Sequence, residues 1–218
     1  MSKNFSMATI KTPFGWLKVI HSTQSIDDAT PLDDISGLKL PRDKVYTLKE
    51  IYIAEANNIA LATIKYLSAP PSKKLAPFSY EWLSKLHEEM FANVWDWAGK
   101  FRTVELSIGI KAYQVPTALK ELSDDMAFWD KHKIFDIYEI AARIHHRAVQ
   151  IHPFKNGNGR WSRMLANIYL RKNGSMPVKW QEDLLSKENP QRDTYIQALK
   201  SADNGDYSTL IEMHRRTY

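Results

Sequence analysis

The chain has 218 residues, 44% of them hydrophobic, and 30 Lys and Arg stand against 25 Asp and Glu for a formal charge of +5. That length supports one buried core, the absence of cysteine removes disulfides and thiolate metal sites, and no apolar run approaches the roughly 18 residues of a membrane span. Charges of both signs are interspersed, which argues against specific nucleic-acid binding, and the start MSKNFSMATIKTPFG lacks the layout of a signal peptide, so a cytoplasmic protein without a membrane contact is expected.

Residues 1–46 carry Pro13, Pro31, Pro41 and four aspartates between positions 27 and 34. They read as an extended N-terminal extension that docks through Phe14, Trp16 and Leu17. Thr47 followed by Glu50 forms a capping box ahead of an apolar run, which predicts a helix over about 48–68. Pro70 and Pro71 break it. Ser79 to Asn93 forms a second helix, with Trp82, Leu83, Leu86, Met90 and Phe91 on one face. The stretch FRTVELSIGIKAYQV has β-branched residues around Gly109 and predicts a hairpin. Pro116 then opens a helix to about Lys131, and further helices are expected at 136–151, 158–173, 190–203 and 206–216. The fold class is therefore all-α, with one small hairpin, a helical domain over 47–218 and the extension before it.

The chemistry concentrates in residues 152–163, HPFKNGNGRWSR. Gly157, Asn158 and Gly159 add almost no bulk, so successive N–H groups can converge on an anion where a helix begins. Arg160 and Arg163 lie three apart on its first turn and can each fork onto phosphate oxygens. His152 ends the preceding helix at Pro153 and faces that site, where it can take a proton from an attacking hydroxyl. A structural histidine capping the helix is the plain alternative, and the glycine and arginine neighbours argue for the base. His145 and His146 lack a carboxylate or cysteine at ligand spacing and read as structural; the tryptophans, among them Trp95, Trp97, Trp129 and Trp161, read as core.

HPFKNGNGRWSR resembles the signature of the Fic (filamentation induced by cAMP) family, His-x-Phe-x-Asp/Glu-Gly-Asn-Gly-Arg-x-x-Arg. The likeness extends through WDWAGKFRTVELSIGIKAYQVPTALKEL upstream and NGDYSTLIEMH near the end, and TPLDDISGLKLPRDKVYTLKEIYIAEANNI resembles the subgroup labelled "mobile mystery protein B". The resemblance implies a protein adenylyltransferase that moves AMP from ATP to a Ser, Thr or Tyr hydroxyl of a target protein. It implies His152 as general base, Phe154 as loop anchor, Gly157, Asn158 and Gly159 as anion hole, and Arg160 and Arg163 as phosphate ligands. It makes the hairpin a flap, with Ile108, Gly109 and Tyr113 against the target segment; a purely structural hairpin is the alternative.

One position departs from the pattern. Asn156 stands where most members carry the carboxylate that holds Mg²⁺, and a neutral amide oxygen attracts that ion less. This leaves open a second class of function, a nucleotide-binding interaction module with little or no transfer, and transfer of another phosphate-linked group. Family members are often restrained by a glutamate aimed at the second signature arginine, here Arg163. Glu55 is the candidate in the first long helix, Glu212 is a weaker one, and a small antitoxin protein is the external alternative.

Overall fold

Thr47 starts the first long helix as its sequence predicts, in a computed structural model that describes residues 5–12, 15–22, 36–41, 46–180 and 190–216. Its hydroxyl accepts from Glu50 N–H at 3.2 Å while the Glu50 carboxylate accepts from Thr47 N–H at 2.8 Å, so the capping box is complete. The helices are α1 (Leu48–Leu67), α2 (Tyr80–Phe91), α3 (Val115–His132), α4 (Ile137–Ile151), α5 (Asn158–Lys172), α6 (Pro190–Asp203) and α7 (Ser208–Arg215). The described chain is therefore mostly helical. Ser79 caps α2, Asp136 caps α4 through the N–H groups of Tyr138 and Glu139, and Pro116 sits in the first turn of α3, where its missing N–H costs nothing.

Helix α5 is the axis of the domain. Trp161, Leu165, Ala166, Ile168 and Leu170 are fully buried, because α4 and α1 flank it and α2 covers its start. Burial on this scale contributes about 1.5–3 kcal/mol for each large apolar side chain. Arg171, at the far end of α5, donates to the Leu67 and Ser68 carbonyls and so satisfies the open C-terminus of α1. Helices α6 and α7 close a second apolar cluster of Ala142, Tyr195, Ala198, Leu199, Ala202 and Leu210 over α4.

The N-terminal extension is extended, as expected, and its strands are paired: β1 (Phe5–Thr12) and β2 (Gly15–Ser22) pair antiparallel, and β2 pairs in parallel with β3 (Tyr46–Thr47). Docking through Phe14, Trp16 and Leu17 falls outside the residues whose side chains are described. The described docking runs through backbone further on, where Leu38 bridges Trp95 and Lys39 N–H donates to the Val94 carbonyl at 2.8 Å. The expectation that requires correction is the hairpin over 101–115. That segment pairs with no second strand of its own; it makes one bridge, Phe101 to Phe154, and then bends into a short 3-10 turn at Ala112–Gln114. Its carbonyls are taken by an arginine side chain, described below, where a cross-strand partner would otherwise be needed.

Candidate active site

His152 terminates α4 in the left-handed region, with φ 50° and ψ 60°. Pro153 prevents helix continuation, and the turn throws the chain back toward α5. Gly157, the N-cap of α5, is also left-handed at φ 78°, and a Cβ there would stand 2.6 Å from Phe91 Cζ. Only glycine fits that position. The first intrahelical bond runs from Trp161 N–H to the Gly157 carbonyl, so the N–H groups of Asn158, Gly159 and Arg160 form the open, positive end of the helix.

Three side chains hold the loop between His152 and α5. Phe154 is fully buried and stacks on His87 with ring centroids 3.6 Å apart. Asn158 clamps Phe154 by both ends of its amide, accepting from its N–H at 2.9 Å and donating to its carbonyl at 2.8 Å. Its side chain therefore serves the loop, and only its backbone N–H remains for an anion. His87 accepts from Gly99 N–H at 3.0 Å through Nδ1, which leaves Nε2–H to donate to the Asn156 carbonyl at 3.0 Å. Burial, with the nearby Arg160 charge, pushes the His87 pKa down to about 3, so it stays a neutral brace.

Arg102 ties the segment over 101–115 to His152. Its side chain is 0% exposed, and its guanidinium donates to the carbonyls of His152 at 2.7 Å, Val104 at 3.0 Å and Ile151 at 3.5 Å, and to that of Ile110. The carbonyls of Ile151 and His152 are the negative end of α4, which offsets the buried cation. Gly109 approaches so closely, at φ 99°, that a Cβ would lie 2.6 Å from His152 Cβ. Of the three expected flap residues, Gly109 thus packs on His152. Ile108 and Tyr113 face solvent at 59% and 77% exposure, and Tyr113 borders an open groove of about 370 Å³ with Phe101, Thr103 and Pro116.

Burial pushes the His152 pKa down to about 4, with a smaller contribution from the Arg102 charge. The ring is then neutral at pH 7, the form a general base requires. Among the described residues its buried Nδ1 makes no hydrogen bond of ordinary geometry, and the Val149 carbonyl is the neighbour that favours a proton on the ring.

The structure brings Arg160, Arg163 and Glu55 to the loop, with a changed pairing. Glu55 meets Arg160 at 2.6 Å and accepts from Trp95 Nε1 at 2.5 Å; the expected contact with Arg163 is replaced by this one. The reason is helix register: Glu55 lies on the face of α1 that packs on Trp95 and the start of α5, while Arg163 points the other way, toward the Tyr195 ring 6.0 Å off. Asn156 turns its Oδ1 onto Gly157 N–H at 2.6 Å, and among the described residues no group of three acidic, histidine or cysteine side chains gathers at ion-binding range. A neutral amide oxygen at position 156 attracts Mg²⁺ less than a carboxylate would. Glu212 lies on α7, paired with Arg215 at 2.9 Å, away from the loop.

His87, Arg102 and Trp95 were not legible as site residues. His87 sits among Leu83, Leu86, Met90 and Phe91 and reads as core, and Arg102 is a single charge between Phe101 and Thr103. Elsewhere, His145 lies in a buried chain that links Tyr195 at 3.0 Å and His214 at 3.3 Å, and His146 pairs with Asp203 at 2.9 Å. Both have structural partners, as expected.

Residues 77–170 match the family model described as Fic/DOC family. The chain is 31% identical over 181 residues to "Protein adenylyltransferase fic-1" of Caenorhabditis briggsae, covering 81% of this chain and 33% of the relative. It is 30% identical over 154 residues to "Protein adenylyltransferase Fic" of Aedes aegypti, covering 69% and 30%. The chain thus spans about a third of the length of the curated relatives it matches. Among solved structures it superposes on Fic-1 (residues 134–508) of Caenorhabditis elegans with TM-score 0.55 and 26% identity, covering 73% of this chain and 47% of that one. It superposes on the VirB-translocated effector BepC of Bartonella tribocorum, which carries AMPPNP, with TM-score 0.56 and 19% identity, covering 76% and 85%.

Proposed function

The chain belongs to the Fic/DOC family, and from that premise we propose that it is a protein adenylyltransferase. In this reading a Ser, Thr or Tyr hydroxyl of a target protein attacks the α-phosphorus of ATP. The new bond is oxygen to phosphorus, the broken one joins the α-phosphorus to the bridging oxygen, and pyrophosphate leaves. His152 takes the hydroxyl proton, and the open N–H groups of Asn158, Gly159 and Arg160 face the phosphate charge. Arg160 and Arg163 neutralise the leaving pyrophosphate, so the protein supplies position and charge and no covalent group. The AMPPNP of BepC supports ATP as co-substrate. Mg²⁺ would arrive with the phosphates, Asn156 offering it a neutral oxygen at most.

The observation that carries the reading is the single rigid turn from His152 to Arg163, braced by Phe154, Asn158 and His87, which holds a neutral base beside a helix N-terminus. Ile108 and Tyr113 on the Arg102-tethered segment are the proposed contact with the target, and a cytoplasmic protein substrate is the proposed partner. An external restraint by a small antitoxin belongs to the same reading.

A second reading has one observation in its favour: Asn156 is neutral and turned inward, which fits a nucleotide-binding module with weak transfer. Incubating the protein and a cell lysate with α-labelled or γ-labelled ATP separates the two. Label transferred from the α position only, and lost in His152→Ala by about 10²–10⁴-fold with ATP affinity unchanged, supports the transferase. ATP binding with no α-label on any protein supports the module.

A further inference from the structure

Glu55 is 1% exposed and has both carboxylate oxygens engaged, Oε1 by Trp95 Nε1 at 2.5 Å and Oε2 by Arg160 Nη1 at 2.6 Å. Arg160 in turn lies over the Phe91 ring, with its guanidinium carbon 4.8 Å from the centroid. Phe91 is also the ring on which Gly157 rests. A carboxylate held at two points in the interior cannot swing through solvent between partners, because each move would leave a buried polar group unpaired. Trp95 is itself fixed by its bridge to Leu38 and by stacking on Trp97 at 5.1 Å.

From this geometry we propose that Glu55 is a positioning residue for phosphate binding: it orients the Arg160 guanidinium from behind so that the donors not used by Glu55 face the anion site. The proposal rests on the nucleotide-binding reading given above and reverses the role expected of Glu55 as a restraint. A guanidinium has five donors in a rigid fork, so one contact to a carboxylate and a face on an aromatic ring fix its plane and leave the other edge usable. Of these two constraints on Arg160, the carboxylate is the directional one. The Leu38 bridge extends the chain of contacts into the segment before α1, so residues 36–40 act on the site through Trp95 and Glu55.

The two roles of Glu55 predict opposite signs. A restraining carboxylate competes with phosphate, and its removal raises ATP affinity and transfer. A positioning carboxylate orders the arginine, and its removal lowers them. The test compares Glu55→Gln, Glu55→Ala and Trp95→Phe by AMPPNP affinity, by kcat and KM for ATP in target labelling, and by Tm, and repeats Glu55→Gln in an Arg160→Gln background. Glu55→Gln should weaken AMPPNP binding about tenfold, the equivalent of about 1.4 kcal/mol. Glu55→Ala should weaken it more, Trp95→Phe less, and the effect of Glu55→Gln should vanish once Arg160 is Gln, since both act on one contact. Tighter AMPPNP binding or faster labelling by Glu55→Gln overturns the proposal, as does unchanged affinity. An equal loss in the Arg160→Gln background also overturns it, since that marks a general packing effect. Trp95→Phe keeps the carboxylate and answers the question even where Glu55→Ala fails to fold. Wild-type protein that binds AMPPNP but transfers no α-label contradicts the adenylyltransferase reading alone, because the affinity comparison still decides the role of Glu55.

Discussion

Asn156 is the residue at which charge and geometry part company. Its Oδ1 accepts from Gly157 N–H, a contact that an aspartate in the same rotamer keeps while adding a full negative charge beside the start of α5. Asn156→Asp should therefore lower the Mg²⁺ concentration needed for half-maximal labelling by about tenfold, since an anionic oxygen holds that ion better than an amide. A titration of labelling rate against Mg²⁺ checks this, and an unchanged midpoint would show that position 156 serves the turn alone. Asn158, two residues on, is different. Its amide is spent on both backbone groups of Phe154, so Asn158→Ala removes no phosphate contact yet leaves buried donors and acceptors unpaired at a cost of about 1–3 kcal/mol. The expected outcome is a Tm lowered by roughly 2–4 °C for each kcal/mol, together with a fall in transfer as the loop loosens.

At the scale of elements, the segment from Phe101 to Gln114 shows how one side chain replaces a ladder. The β-branched residues around Gly109 suggest a hairpin, but the Val104 and Ile110 carbonyls are satisfied by the Arg102 guanidinium, and Glu105 accepts from Ala112 N–H at 3.2 Å. The backbone requirement is met without a strand. The same guanidinium binds the carbonyls of Ile151 and His152, so one side chain ties the segment to the end of α4. Arg102→Lys keeps the charge and loses the fork, so it should reduce kcat for target labelling about tenfold or more while AMPPNP affinity holds. Arg102→Gln also removes the charge that helps keep the His152 pKa low, so the acid limb of its pH–rate profile should move to higher pH; with Arg102→Lys the limb should stay in place. Measuring both profiles separates position from charge. The β1–β2 pair makes the complementary point. Two eight-residue runs flank Pro13 and Phe14 in the sequence, and the surrounding prolines and aspartates hid that symmetry.

Across the molecule, the interior holds His87, His145 and His214, all fully buried, with pKa values lowered first by desolvation: to about 3 for His87, to about 4 for His214 and well below the ordinary 6.5 for His145. A histidine whose folded pKa lies below its unfolded one stabilises the fold fully above the unfolded value and loses that contribution as pH falls toward the folded value. Stability should therefore decline from about pH 6.5 to pH 4, with a limit of about 1.4 kcal/mol per pH unit for each histidine that remains neutral in the fold. Thermal unfolding across that range checks it. The slope should shrink in His214→Gln, and a flat Tm between pH 6.5 and 4.5 would contradict the assignment. His152 adds to the same trend, so loss of activity on acidification has to be separated from loss of fold by measuring both on one sample.

Capping pairs, apolar spacing and the glycine-arginine turn are local properties, and they determined the helices, the start of α5 and the placement of His152, Arg160 and Arg163 around one loop. Thr47 with Glu50, and Gly157 before Asn158, act within a few residues of themselves, so their consequences are readable without the fold. What only the tertiary structure decided is which distant groups complete the site: Glu55 on Arg160 across 105 residues of chain, Arg102 on His152 across 50, and His87 on the Asn156 carbonyl across 69. Each of those pairings depends on the rotation of one packed helix against another or on a loop's path. That rotation is set by the summed burial of side chains such as Trp95, Trp161 and Phe91, and no local pattern in the sequence encodes it.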